Sequence, residues 1–182
     1  MLNNKMIGAS SNTFDPSELK WTLLQGWAET HTTKSKVCCP TSTSDCLKII
    51  HFIKKRGLVV NTRGGGYSFG DMTLNDGHYV IDSKYMDNIL NWDANTGQMK
   101  VQPGVTVASV LKMALPKNWV LPCCPGGMDV TIAGAVSNNV HGKDSWRNGN
   151  FGGNVLDIKL LTSNGEILTL SRSKNENIFQ AV

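Results

Sequence analysis

The stretch that most constrains what this chain can fold into runs from Leu58 to Gly70, Leu-Val-Val-Asn-Thr-Arg-Gly-Gly-Gly-Tyr-Ser-Phe-Gly. A β-prone run, Leu58 to Val60, empties into three consecutive glycines, followed by Tyr67, Ser68, Phe69 and a further glycine. Glycine tolerates positive φ and lets another group approach the backbone closely. Three in a row leave successive N–H groups free to face one concavity, a nest suited to an anion. Arg63 at its rim and the Ser68 hydroxyl offer further donors to a phosphate. A plain glycine-rich turn between two strands fits the loop equally well. The neighbouring sequence has to decide.

What precedes the loop is a β-α-β start. Val37-Cys38-Cys39-Pro40 reads as a short strand stopped by proline. Ser42 or Ser44 then caps a helix with Asp45 in its first turn and Leu47, Ile50, Phe52 and Ile53 on one side. Lys54, Lys55 and Arg56 fill the last turn, where they complement the helix dipole, and Gly57 supplies the stop. The strand from Leu58 thus delivers the glycines to a strand end, where α/β proteins place ligands. Upstream, residues 1–20 read as an irregular arm, and Trp21, Leu23, Leu24 and Trp27 as a segment that packs onto the domain before the fold begins.

Beyond the loop, Tyr79 to Asp82 reads as a strand, and Met86, Ile89, Leu90 and Trp92 as a packed linker. A turn at Asn95-Thr96-Gly97 leads into a strand from Gln98 to Gln102, and Thr106 caps a second helix that Pro116 stops. Trp119-Val120-Leu121 reads as another short strand. Pro125 to Lys143 begins as a loop and becomes a run of small residues, Ala133, Gly134, Ala135 and Ser137, with Asn138, Asn139, His141 and Lys143 beside it. Such a run lets backbone lie against something flat. It equally describes a tightly packed helix with a surface histidine. Two β-prone runs around Asn164-Gly165 predict a hairpin with a primed turn, and the apolar run from Asn177 to Val182 predicts a helix.

Bulk properties remove several function classes. A chain of 182 residues with 40% hydrophobic and 18% charged residues is an ordinary globular protein with room for a sizeable core. Its net charge of +4 suits a phosphate-bearing small ligand. It lacks the clustered basic footprint and basic-aromatic surface pattern of a nucleic-acid binder. No apolar run is long enough to cross a bilayer, and the N-terminus lacks the apolar core of a signal peptide, so a cytoplasmic location is expected. The five cysteines form no Cys-x-x-Cys pair, and the four histidines are not spaced around them as zinc ligands, so reduced thiols and no metal are expected.

Read together, the two glycine-rich stretches resemble the FAD-binding module of the vanillyl-alcohol-oxidase type of flavoenzyme. Within that type they are most similar to the decaprenylphosphoryl-ribose oxidase-like FAD-linked oxidases. The matching pieces are Arg63 to Asp71, Thr131-Ile132-Ala133-Gly134-Ala135, His141-Gly142-Lys143, Gly149-Asn150-Phe151-Gly152, and the hairpin Leu160 to Ile167. Their order covers roughly residues 20 to 182. The resemblance implies an α+β fold of two small subdomains over residues 21–182, with the cofactor lying between them.

It also implies roles. Thr62, Arg63, Gly64, Gly65, Gly66, Tyr67, Ser68, Phe69, Gly70 and Asp71 would wrap the FAD pyrophosphate, largely through backbone N–H groups. Gly126, Thr131, Ile132, Ala133 and Gly134 would line the cofactor. Asn138, Asn139, Val140 and His141 would lie along it toward the flavin ring, and Lys143 would face the substrate. His141 and Lys143 are therefore the catalytic candidates. The implied activity is oxidation of a sugar or sugar-alcohol hydroxyl, on a small molecule or a lipid-phosphate carrier, by hydride transfer to flavin. A sugar-lactone oxidase and a noncatalytic flavin- or dinucleotide-binding module remain open alternatives. Tyr67 stands where covalently flavinylated members carry a histidine, so noncovalent FAD is expected. The substrate domain of such oxidases is not expected within these residues, which leaves apolar surface suited to a homodimer.

Overall fold

The computed structural model describes residues 16–182, so the expected N-terminal arm lies, through Asp15, outside the described residues. The first subdomain is a four-stranded sheet in the order β1-β2-β4-β3. Its strands are β1 (Trp21–Gln25), β2 (Thr32–Cys38), β3 (Val60–Arg63) and β4 (Tyr79–Asp82). β1 and β2 pair antiparallel, while β4 is parallel to both β2 and β3. With a strand on either side, β4 is buried at every position, and its run Tyr79-Val80-Ile81 is continuously apolar for that reason.

Helix α1 (Thr43–Lys55) crosses between β2 and β3 and starts where Ser42 accepts the Asp45 N–H. Its Ile49 and Ile53 seal a core with Cys38, Tyr79 and Ile81, and Gly57 at φ +59° ends it. Two upstream expectations change. Trp21 to Leu24 are not a segment packed on before the fold begins; they form the edge strand β1, which leaves Leu23 exposed. β2 also starts earlier than expected, because the polar Thr32 to Lys36 pair in register with β1.

The second subdomain holds two β-hairpins and short helices. β5 (Ile89–Asp93) pairs with β6 (Gln98–Val101), and β7 (Asp157–Leu161) with β8 (Ile167–Ser171). The stretch expected as a packed linker is thus a strand. A bulge between Ile89 and Asn91 sets Leu90 outside the pairing, which breaks the alternation that marks a strand in sequence. Trp119-Val120-Leu121, expected as a strand, is irregular. Its Trp119 indole instead caps the β5–β6 turn, donating to the Ala94 carbonyl at 2.8 Å and meeting Trp92 edge to face.

The β7–β8 hairpin forms where expected, but its turn is not primed. Gly165 has positive φ and Asn164 does not, and the Gly165 N–H closes onto the Thr162 carbonyl at 3.0 Å. A primed turn needs positive φ at its first central residue, and in type I′ at both. This is instead a β-turn followed by a left-handed glycine.

Helices α2 (Val107–Ala114) and α3 (Ile132–Ser137) begin side by side, joined by a bridge between Thr106 and Thr131. Cys123, Ala135 and Phe151 form the core beneath α3. A single turn, α4 (Ser145–Asn148), follows, and α5 (Glu176–Ala181) is the predicted last helix. Among the described residues no helix is long and apolar enough to cross a membrane.

Candidate functional site

The glycine loop leaves β3 at Arg63 and runs over the gap between the subdomains. Thr131, the N-cap of α3, is 2% exposed and packs its hydroxyl against Gly64 so closely that no side chain fits there. At Gly65 a Cβ would stand 2.6 Å from the Asp129 carbonyl oxygen. The Tyr67 hydroxyl donates to Asp129 Oδ2 at 3.2 Å. Partial desolvation and that carboxylate hold the Tyr67 phenol above its ordinary range. Gly64, Gly65 and Tyr67 thus form one wall of a cleft whose other wall is Thr131 and Asp129. Its volume is about 430 Å³, and Leu24, Arg63, Asp82, Lys84, Asp87, Gly104, Thr106 and Ser109 complete the lining.

The donors in this region divide unequally. α2 and α3 both point their N-termini here, yet their first N–H groups are already used. Val107 and Ala108 donate to the Val130 and Met128 carbonyls, and Ile132 and Ala133 to the Val105 and Pro103 carbonyls. Gly134 N–H goes to the Thr131 hydroxyl. By contrast, none of the backbone N–H groups from Gly64 through Gly70 donates to an acceptor among the described residues. A row of unpaired N–H groups along a glycine loop is the donor set an anion needs. A pyrophosphate fits it, because glycines crowded from behind bring the backbone itself to the ligand.

Other expected residues divide between loop, helix and surface. The Arg63 guanidinium lies against Gly66 and donates to Thr73 Oγ1 at 3.2 Å and to the Gln25 carbonyl at 2.8 Å. Thr62 sits in β3, with its N–H on the Asn61 side chain. Ser68 is half-buried, and Phe69 is exposed and stacked edge to face on Trp27. The Asp71 carbonyl closes a turn onto the Leu74 N–H. Gly126 is exposed with open space around it.

Ile132, Ala133 and Gly134 are half-buried along α3, so a bound group could lie over them. Asn138 and Asn139 spend their side chains on Gly134 and Gly152 backbone, and Val140 packs into the second core. His141 and Lys143 are exposed on the turn that follows. Neither they nor Asn138 to Val140 line the cleft.

The cleft also holds residues that the sequence reading did not single out for the site. Asp82 ends β4 opposite Arg63 and is 5% exposed. Lys84 Nζ lies 3.3 Å from Asp82 Oδ2. Partial burial is the largest single effect and pulls the Lys84 ammonium down, but the Asp82 carboxylate together with Tyr85 and Cys39 outweighs it and holds the group above its ordinary range. Gly104 lies against the Ser83 carbonyl too tightly for any side chain. The strand end at Asp82 was a readable signal. Lys84, Thr106 and Ser109 reach the cleft only through the meeting of the subdomains.

Comparison with known proteins bears on this geometry. Residues 35–171 match the family model described as the FAD binding domain. Over 152 residues the chain is 36% identical to decaprenylphosphoryl-beta-D-ribose oxidase of Mycolicibacterium smegmatis, covering 81% of this chain and 32% of that protein. It is 28% identical to the bovine (Bos taurus) L-gulonolactone oxidase, over 86% of this chain and 36% of that one. The chain thus spans about a third of the length of these curated relatives. The crystal structure of 6-hydroxy-D-nicotine oxidase from Arthrobacter nicotinovorans superposes with a TM-score of 0.80 at 20% identity, over 93% of this chain and 40% of that one. That likeness is of fold, and the expected vanillyl-alcohol-oxidase type of module is the fold observed.

Proposed function

The chain belongs to the FAD-binding domain family, and on that premise we propose that it is the cofactor-binding part of an oxidoreductase acting on a sugar or sugar-derived alcohol. The single observation that carries this reading is the row of unpaired N–H groups from Gly64 to Gly70 at a cleft between two subdomains. When bound, FAD supplies the acceptor for a hydride leaving a carbon that bears a hydroxyl.

The chain's own residues do the rest. Loop N–H groups hold the pyrophosphate oxygens, and Thr131 fixes the loop's distance from α3. Ala133 and Gly134 present a small-residue surface along which a flat group can lie, and Gly126 offers open backbone. Asn138, Asn139 and Val140 brace the turn that carries His141 and Lys143. From that turn an imidazole and an ammonium can hydrogen-bond a substrate hydroxyl or phosphate.

The substrate is a sugar hydroxyl on a small or lipid-linked carrier, in keeping with the ribose oxidase relative. The gulonolactone oxidase relative favours a sugar lactone as the second reading. Tyr67, tied to Asp129, provides no tether, and we propose noncovalent FAD. The thiols, all free among the described residues, suit a reducing compartment such as the cytoplasm.

The test is to load the protein with FAD, exclude oxygen and add candidate sugars and sugar lactones. Bleaching of the flavin absorbance by one class and not the other identifies the substrate. Stoichiometric FAD with no bleaching by any of them would leave a binding module and contradict the proposal. Acid precipitation should release all flavin, and fluorescence retained on the denatured polypeptide would contradict noncovalent binding.

A further inference from the structure

A glycine-rich loop whose N–H groups have no acceptor among the described residues has little of its own to keep it in one shape. Gly66 and Gly70 stand at φ +78° and +63°, conformations that glycine enters and leaves readily. Holding such a loop still before the ligand arrives removes an ordering cost from binding. The contacts that could do so converge on one distant segment, the turn between β1 and β2.

Gln25 accepts from Arg63 Nη2 across 38 positions of sequence, and Gly66 lies over that guanidinium with no room for a Cβ. The Trp27 N–H donates to the Ser68 carbonyl at 3.2 Å. The Trp27 ring meets Phe69 edge to face, with ring centres 5.2 Å apart. Gly26 is buried against the Gly70 carbonyl, again with no room for a Cβ. The carbonyls and side chains of the loop are held from outside while its N–H groups face away unpaired.

We infer that Gln25-Gly26-Trp27 is the scaffold that pre-forms the anion-binding loop, with Arg63 as the strut between turn and loop. The inference rests on the reading that this loop holds the FAD pyrophosphate. It gives Arg63 a different role from that of a phosphate donor, since Nη1 and Nη2 each already hold a protein acceptor, Thr73 and the Gln25 carbonyl. Gln25, Gly26, Trp27 and Arg63 are positioning residues that act through the loop.

Two measurements on purified protein test it: FAD and ADP affinity by titration, and backbone 15N order parameters of Gly64 to Gly70 without ligand. The variants are Gly26→Ala, which adds one methyl on the loop's outer side, and Arg63→Lys, which keeps the charge but cannot bridge Gln25 and Thr73 as the planar fork does. Each should weaken FAD and ADP about tenfold or more, the loss of one well-placed charge-assisted hydrogen bond. Each should lower the loop order parameters from about 0.85 toward 0.6, with the strands unchanged. Should Gly26→Ala fail to fold, Trp27→Ala takes its place, since it removes the ring contact and adds no atom.

Full affinity in Arg63→Lys would make the guanidinium a charge on the phosphate and overturn the strut. Unchanged loop order in Gly26→Ala, or in Trp27→Ala where it replaces it, would overturn the scaffold. If the unsubstituted protein binds neither FAD nor ADP, the pyrophosphate reading fails. The order parameters then decide the scaffold separately.

Discussion

Gly65→Ala adds a single carbon at the point where the two subdomains touch, and its cost can be worked from the geometry. The new Cβ would lie 2.6 Å from the Asp129 carbonyl oxygen and 3.1 Å from the Tyr67 ring. Ordinary contact begins near 3.4 Å, so the loop and the Asp129 segment must part by about 0.8 Å. The nearer neighbour is backbone, which cannot rotate away. Overpacking of this kind costs about 1–3 kcal/mol, which in a domain of this size lowers the melting temperature by roughly 2–12 °C.

The effect on the ligand is at least comparable to the effect on the fold. A shift of that size takes at least one N–H group out of hydrogen-bond reach of a phosphate oxygen, at roughly 1.5–3 kcal/mol each. The FAD dissociation constant should therefore rise about ten- to a hundredfold. Flavin fluorescence titration measures it, with far-UV circular dichroism to show that the fold persists. Gly153→Ala, in open space with no positive φ, is the control and should bind like the unsubstituted protein. An affinity for Gly65→Ala within about threefold of the control would remove the glycine loop from the binding site.

Three further outcomes follow from the same contacts. Asp129→Asn removes the carboxylate that helps raise the Tyr67 phenol, so its titration should move to lower pH in the ultraviolet difference spectrum. A titration that stays in place would break the pairing. Burial, with a smaller contribution from Cys39, pushes the Cys38 thiol up to about 12 from 9.0. The folded state therefore holds this proton more tightly than the unfolded chain does. Stability from this group is intact below pH 9 and is lost as pH rises from 9 toward 12. Cys38 should also be the slowest cysteine to alkylate at pH 8, and rapid labelling there would refute its burial. Thr131→Val removes the cap on the Gly134 N–H and should cost about 0.5–2 kcal/mol in denaturant unfolding.

The parts of this molecule legible in its sequence are those written in local chemistry. Ser42 and Thr106 look like caps because a short hydroxyl side chain can reach back to a freed N–H, and both do so. Thr131 caps α3 in the same way, though the sequence marked it only as lining the cofactor. The glycine loop was visible because no other residue type fits where Thr131 and the Asp129 carbonyl press in. What remained hidden depends on partners distant in the chain. The bulge at Leu90 conceals β5 because a skipped residue inverts the alternation. β1 looks like an attached segment because an edge strand can leave its apolar side chains exposed. Arg63 looks like a phosphate donor until the fold brings Gln25 beneath it. Lys84 and Ser109 enter the cleft only when the two subdomains meet.

The central claim is that the unpaired N–H groups of Gly64 to Gly70 hold the pyrophosphate of FAD. The most direct measurement is a 15N–1H correlation spectrum of the protein titrated in parallel with FAD, ADP and riboflavin. The account predicts downfield amide shifts of Gly64 to Gly70 that saturate with FAD and with ADP, and unshifted loop amides with riboflavin, which has no phosphate. Loop amides that stay in place at saturating FAD, or that move equally with riboflavin, would contradict it.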